Sequence, residues 1–262
     1  PSAYVKSVTR AVCALSTRVI VMAELGRRIL VDVYGIDESK LVLLPHGVPD
    51  VPFDRSIPDL KAKLNLDPNA PIMTTFGLIH RNKNIQLGLE AMKSVVKSVP
   101  NMMYLVIGQT HPGVIKHEGE SYRNELEGNI TELGLSNNVR FINKFVDNSE
   151  LLDYLGASDI YLTPYAREDQ YVSGTLSWAV GLGKAVISTP YLYAKELLND
   201  GRGFLVPFND ANSMSSTIIK VIQDSKIRDN ARERAYKFGR HMTWPIIARQ
   251  VEKMAKNIID DA

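Results

Sequence analysis

Short apolar runs alternate with amphipathic ones along nearly the whole chain. Tyr4 to Leu15 has apolar positions at helical spacing. Arg18 to Met22 reads as a short buried strand, Glu24 to Tyr34 as a helix closed by Gly35, and Lys40 to Leu44 as a second strand. Residues 46–58 are proline-rich with little periodicity, and read as an interdomain linker or a functional loop. The alternation then becomes regular. Strands are expected at 71–76, 102–108, 139–142, 159–163, 185–189 and 203–206. Helices are expected at 57–65, 84–98, 118–134, 149–156, 174–182, 193–199, 210–223, 226–238 and 244–259. Short apolar strands alternating with helices predict an α/β fold, a parallel sheet with helices on both faces. Ligands of such sheets bind at the C-terminal ends of the strands, so the strand-to-helix loops should carry the chemistry.

Composition narrows the function classes. The chain has 262 residues, of which 45% are hydrophobic and 23% charged, an ordinary globular balance. Net charge is +2, so no basic excess points to nucleic acid. The single cysteine, Cys13, cannot form an internal disulfide, which fits a reducing, cytoplasmic setting, and it lies on an apolar helical face where packing is expected. No apolar run has the length of a membrane span, and no signal peptide is visible. The chain begins without Met inside a helical pattern, which suggests a fragment lacking an N-terminal part.

Four strand-end loops hold suggestive residues. The first, Gly77 to Asn84, places Arg81 and Lys83 just before a helix, where a guanidinium and an ammonium suit a diphosphate. Taken alone it also fits a solvated basic loop. The second, Gly108 to Gly113, carries His111, a ligand contact or simply an exposed loop histidine. The third contains Lys144 and Phe145. Its backbone groups can face a base, or the segment can serve only to lead into the next helix through Asp147, Asn148 and Ser149. The fourth runs from Tyr165 to Thr175. It holds Arg167, Glu168, Asp169 and Gln170 before Ser173-Gly174-Thr175, which open an uncharged, apolar helix. Free amides at a buried helix start, under small side chains, favour an anion. No Gly-x-Gly-x-x-Gly dinucleotide site, P-loop, Gly-x-Ser-x-Gly elbow or metal-ligand spacing is present.

These loops, in this order, resemble the C-terminal half of a retaining glycosyltransferase of family four, with the two-Rossmann-domain GT-B architecture. The resemblance runs from Val19-Ile20-Val21-Met22 and Pro45-His46-Gly47-Val48 through Phe76-Gly77 to Lys83 and Val139-Arg140-Phe141. It continues through Ala157 to Pro164, Gly183 to Ile187 and Gly201 to Pro207. It implies a Rossmann-like donor-binding domain over 59–242, joined by the 46–58 linker to a remnant of the acceptor-side domain over 1–45. The last helix, 243–262, would cross back toward that domain. The implied substrate is a nucleotide-diphospho-sugar (a UDP-, GDP- or ADP-hexose), with a sugar, lipid or small-molecule acceptor and no cofactor or metal. The resemblance leaves room for peripheral contact with a membrane, and it implies that the piece is inactive without the N-terminal domain.

By the same resemblance Lys83 and Arg81 stabilise the departing diphosphate, and Gly77, Ser173, Gly174 and Thr175 hold its phosphates. His111, Lys144, Phe145, Gln170, Glu168 and Glu196 stand on the sugar or base side, although Glu196 fits a helix-surface carboxylate equally well. One departure stands out. The family carries two glutamates eight positions apart, the second of which holds donor ribose hydroxyls, where this chain has Gln170 and Trp178. Leu78 likewise occupies the usual arginine position, which Arg81 could fill. A nucleotide-sugar epimerase on the same fold and a non-catalytic nucleotide-binding module are the alternatives.

Overall fold

The computed structural model describes residues 1–53 and 57–260. The chain opens with α1 (Ala3–Leu15), β1 (Val19–Val21), α2 (Glu24–Asp32) and β2 (Leu41–Leu43). It continues with α3 (Ile57–Lys63), β3 (Ile72–Phe76), α4 (Ile85–Ser98), β4 (Met103–Ile107), α5 (Pro112–Glu118), α6 (Ser121–Glu132) and β5 (Val139–Ile142). Then follow α7 (Asn148–Ala157), β6 (Ile160–Thr163), α8 (Gly174–Gly181), β7 (Ala185–Ser188), α9 (Leu192–Leu197) and β8 (Phe204–Leu205). Three helices close the chain: α10 (Ala211–Gln223), α11 (Ser225–Gly239) and α12 (Trp244–Asp260).

Six strands form one parallel sheet in the order β5-β4-β3-β6-β7-β8, as the strand–helix alternation predicts. β3, β6 and β7 are buried along their whole length, because both faces are covered. Side chains leave a strand alternately on its two faces, so Tyr104 and Val106 enter one apolar cluster with Met92 of α4 and Ile218 of α10. Leu105 and Ile107 enter the other, with Leu155 of α7 and Leu176 and Val180 of α8. The chain builds outward from β3 to β5, then returns to lay β6 beside β3, pairing Met73 with Ile160 and Thr74 with Tyr161. That reversal splays the loops after β3 and β6 apart and opens a crevice above the strand ends.

β1 and β2 form a separate two-stranded parallel sheet. Glu196 of α9 ties it to the larger unit: its carboxylate accepts the backbone N–H of Glu24 at 2.8 Å and of Leu25 at 3.1 Å, at the start of α2. An acidic group there satisfies amides that no helical carbonyl can reach. The linker expected over 46–58 includes residues 54–56, which lie outside the described residues. Its first part is ordered against the end of the chain, with Val48 N–H donating to Met242 O and Trp244 N–H to Val48 O. Cys13 is buried in α1, and no described helix is long and apolar enough to cross a membrane.

The region 110–134 departs from the expected single helix over 118–134. α5 begins at Pro112, because the His111 ring accepts the Gly113 N–H at 3.0 Å and caps it. Gly119, at φ +62°, then ends α5 before α6 starts. The Pro-Gly pair reads as a turn in sequence, but Pro is equally at home in a first helical turn.

Candidate functional site

A cleft of about 370 Å³ lies over the C-terminal ends of β3, β4 and β5, bounded by the start of α8. Gly77, Gly174 and Thr175 line it at one end, and Lys144, Phe145 and Asn148 at the other. Two glycines shape the floor. Gly77 has φ +110° and Gly108 φ +136°, regions that side chains rarely adopt. A Cβ on Gly77 would stand 3.1 Å from Lys83 Nζ and 3.1 Å from the Thr175 methyl. The bare glycine therefore leaves an approach from the cleft to the Lys83 ammonium.

Lys83 is almost completely buried beneath that approach. Its ammonium donates to Phe76 O at 3.0 Å and to the Tyr165 hydroxyl at 3.4 Å, and sits 5.3 Å from the Tyr165 ring centre. Burial raises the Tyr165 hydroxyl pKa. The adjacent Lys83 charge and hydrogen bonds involving Ser173, Thr175 and Lys83 outweigh it, holding the group below the usual phenol range. Ser173 caps α8, its Oγ accepting the Leu176 N–H at 3.3 Å, while the Ser177 hydroxyl donates to Ser173 O at 3.0 Å. Among the described residues, the Gly174 and Thr175 amides find no hydrogen-bond acceptor. A buried ammonium, two free amides and a helix N-terminus thus converge at one end of the cleft, an arrangement that accepts oxygen anions.

Of the residues singled out in the sequence, Gly77, Lys83, Ser173, Gly174 and Thr175 come together at this end, and Lys144 and Phe145 line the other. The remaining ones lie off the cleft. Arg81 points outward into Glu118 and Glu125, at 3.3 and 2.9 Å, over the Tyr122 ring. His111 caps α5. Glu168 pairs with Lys195 at 2.6 Å, and Glu196 holds the start of α2. Gln170 donates to Val172 O at 2.7 Å and accepts from Asn82 at 3.3 Å, which shapes the loop before α8. Asn82 also accepts the Arg167 N–H through its side chain and the Ala166 N–H through its backbone, so it clips the β6–α8 loop to the β3–α4 loop.

Three further residues join the site. His46 lines the cleft with its Nε2 only 2.8 Å from where a Gly174 Cβ would stand, so a side chain at Gly174 meets His46 first. Trp178, one α8 turn beyond Gly174, faces the cleft and packs against Phe76, with ring centres 6.3 Å apart. Tyr165 opens the β6–α8 loop beneath Lys83. His46 reaches α8 only through the fold, and an apolar helix predicts burial for Trp178 and not an aromatic wall.

His80, beside Lys83, carries a measurable consequence. Burial first, then repulsion from Lys83 and His111, lowers its imidazole pKa from 6.5 to about 4. The unfolded chain binds this proton near pH 6.5, while the folded chain resists it down to about 4. Stability from this group is therefore complete above pH 6.5 and is lost as pH falls toward 4. Discounted for the exposed part of the ring, the expected loss is about 1–2 kcal/mol. Urea unfolding at pH 7 and pH 4.5 should show a smaller acid loss in His80→Gln than in the parent. Equal losses would remove His80 from the acid response.

Among the described residues no group of three or more His, Cys, Asp or Glu is placed to hold a metal ion. The profile of the family described as glycosyl transferases group 1 matches residues 56–238. A phosphatidyl-myo-inositol mannosyltransferase of Mycolicibacterium smegmatis is 21% identical over 177 residues, covering 67% of this chain and 42% of that one. A UDP-Gal:alpha-D-GlcNAc-diphosphoundecaprenol alpha-1,3-galactosyltransferase of Escherichia coli is 24% identical over 215 residues, covering 80% and 52%. The chain thus spans about half the length of these curated relatives. Anabaena HepE, solved with UDP and glucose, superposes with a TM-score of 0.79 at 18% identity, covering 98% of this chain and 68% of HepE. At that identity the likeness speaks for a shared fold.

Proposed function

Because the chain belongs to the glycosyl transferases group 1 family, we propose that it forms the donor site of a glycosyltransferase. That enzyme moves a hexosyl group from a nucleoside-diphospho-sugar to an acceptor hydroxyl, with retention of configuration. The carrying observation is the convergence of Lys83, Gly77 and the free α8 amides beside an elongated, largely apolar cleft. The diphosphate lies at the α8 end and the nucleoside runs toward Phe145. The two relatives named for mannosyl and galactosyl transfer, and the HepE complex with UDP and glucose, support this reading.

As the glycosidic bond breaks, negative charge gathers on the departing β-phosphate. Donors already fixed around it favour the transition state over the bound substrate. Lys83 supplies a full charge in a buried setting, where it acts more strongly than in water. Tyr165 fixes the ammonium from below. The Gly174 and Thr175 amides meet the phosphate oxygens at the positive end of α8. In this reading residues 59–242 hold the donor, and 1–45, with its separate two-stranded sheet, stands on the acceptor side. The acceptor is a sugar, lipid or small-molecule hydroxyl.

The test is to incubate the protein with UDP-, GDP- and ADP-hexoses and hydroxyl acceptors, following free nucleoside diphosphate and the bound sugar by calorimetry and mass spectrometry. Acceptor-dependent release supports transfer. An epimerised sugar would reassign the chain to epimerisation, and saturable binding with no turnover by the full-length protein would reassign it to a nucleotide-binding module. Absence of binding by all three donors would overturn the donor-site reading.

A further inference from the structure

The two halves of the phosphate end come from different loops. Lys83 lies in the loop of residues 77–84 after β3, while Ser173, Gly174 and Thr175 stand where the loop after β6 runs into α8. The reversal of strand order at β3 and β6 lets these loops part, so contacts between them must set their relative position. Among the described residues, the hydrogen bonds that join residues 77–84 to residues 164–172 are one from Lys83 to Tyr165 and three made by Asn82.

Asn82 binds the opposite loop through its backbone and its side chain. Its carbonyl oxygen accepts the Ala166 N–H at 3.0 Å, and its Oδ1 accepts the next amide, the Arg167 N–H, at 3.1 Å. Two consecutive amides held by one residue fix the orientation of the loop as well as its distance. Asn82 Nδ2 then donates to Gln170 Oε1 at 3.3 Å, and Gln170 Nε2 donates to Val172 O at 2.7 Å. Both ends of this relay are backbone groups with fixed roles, an N–H at Arg167 and a carbonyl at Val172. Each side-chain amide therefore has one orientation that satisfies its neighbours. The relay spans the loop from Arg167 to Val172, and the next residue is Ser173, which caps α8.

We propose that Asn82 is a positioning residue for the diphosphate: through Gln170 it holds the start of α8 in register with the Lys83 ammonium. The inference rests on the donor-site reading above. Asn82 is not among the residues that line the cleft, so it acts through Lys83 and the α8 amides. Those donors must converge on the same phosphate oxygens, and a misplacement of about 1 Å can cost on the order of 100-fold. The residue type follows from the relay. An aspartate could accept from Arg167 but could not donate to Gln170, and a leucine of similar size does neither.

The test is calorimetric titration with UDP, GDP and ADP, followed with whichever binds the parent most tightly. The variants are Asn82→Leu and Gln170→Met, each made in the parent and in Lys83→Met, with thermal melts on all of them. Leucine and methionine keep the size of the side chain and remove the amide without adding charge. The Ala166 bond to Asn82 O stays, as do the bonds from the Leu192 and Tyr193 N–H groups to Glu168 O and Gln170 O, so the variants are expected to fold. Asn82→Leu should weaken binding about fivefold or more. In the Lys83→Met background its cost in binding free energy should be at most about half as large, because no ammonium remains to be held in register. A loss that came only from a disturbed fold would not depend on Lys83. Should Asn82→Leu fail to fold, Gln170→Met carries the test under the same two criteria. A folded variant that misses either criterion overturns the inference and leaves the donor site standing. Absence of binding by all three nucleotides to the parent overturns the donor site itself, and the inference with it.

Discussion

Lys83→Met should weaken nucleoside diphosphate binding by about 1.5–3 kcal/mol, the range for a hydrogen bond to a charged group, or roughly 10–150-fold. Methionine keeps the length of the stem and removes only the charge and its donors, so the buried space stays filled. The size follows from where the ammonium sits. It is nearly inaccessible to water except through the gap at Gly77, and its partners among the described residues are a carbonyl and a phenol, not a carboxylate. A bound phosphate would therefore give it a first anionic partner in a poorly screened setting. Tyr165→Phe should cost less, about 1 kcal/mol, because it removes the support under the ammonium and leaves the charge. The double variant should bind no worse than Lys83→Met alone if Tyr165 acts through Lys83, a coupling that a merely structural tyrosine would not produce. Unchanged affinity in a folded Lys83→Met protein would take Lys83 out of the phosphate site.

The sheet and the meeting of Lys83 with the start of α8 were legible because each rests on a short-range pattern. Buried strands such as Ile72–Phe76 announce themselves as apolar runs, and their parallel order follows from intervening helices. Lys83 and Ser173-Gly174-Thr175 were visible as a cation before one helix and small residues before another. The rest depends on contacts between distant segments. Arg81 has the same local setting as Lys83, yet two positions of difference turn it outward to Glu118 and Glu125, partners that only folding brings near. Glu196 looks like a helix-surface carboxylate until α2 is packed against it. Nothing near His46 marks it as a neighbour of Gly174, since only the crossing of 46–48 with 242–244 places it there. Local pattern therefore located Lys83 and the small residues that open α8, and tertiary packing decided which polar side chains stand beside them.

Gly108→Ala is expected to cost the fold about 2–5 kcal/mol, combining backbone strain with overpacking against a rigid neighbour. At φ +136° the residue holds a conformation that side chains rarely adopt. The added Cβ would also stand 2.3 Å from the carbonyl oxygen of Gly77 and 2.9 Å from its carbonyl carbon. That neighbour is backbone and cannot swing aside. Both chains are pinned: the Gly77 N–H donates to Ile107 O at 2.9 Å, the Gly108 N–H to Ile142 O at 3.0 Å, and Arg123 holds Gly108 O at 2.9 Å. Relief must come from moving the β3–α4 loop, which carries Gly77 and Lys83 together. Donor affinity should therefore fall along with melting temperature, the latter by roughly 4–20 °C for a chain of this size. Gly128→Ala is the control: it lies within α6 with nothing within 4 Å of its added Cβ, and should raise stability by about 0.5–1 kcal/mol. Thermal melts and nucleotide titration on both variants decide the matter. A Gly108→Ala protein within about 1 kcal/mol of the parent, a typical cost for any point substitution, would mean that the paired glycines are no constraint on the cleft floor.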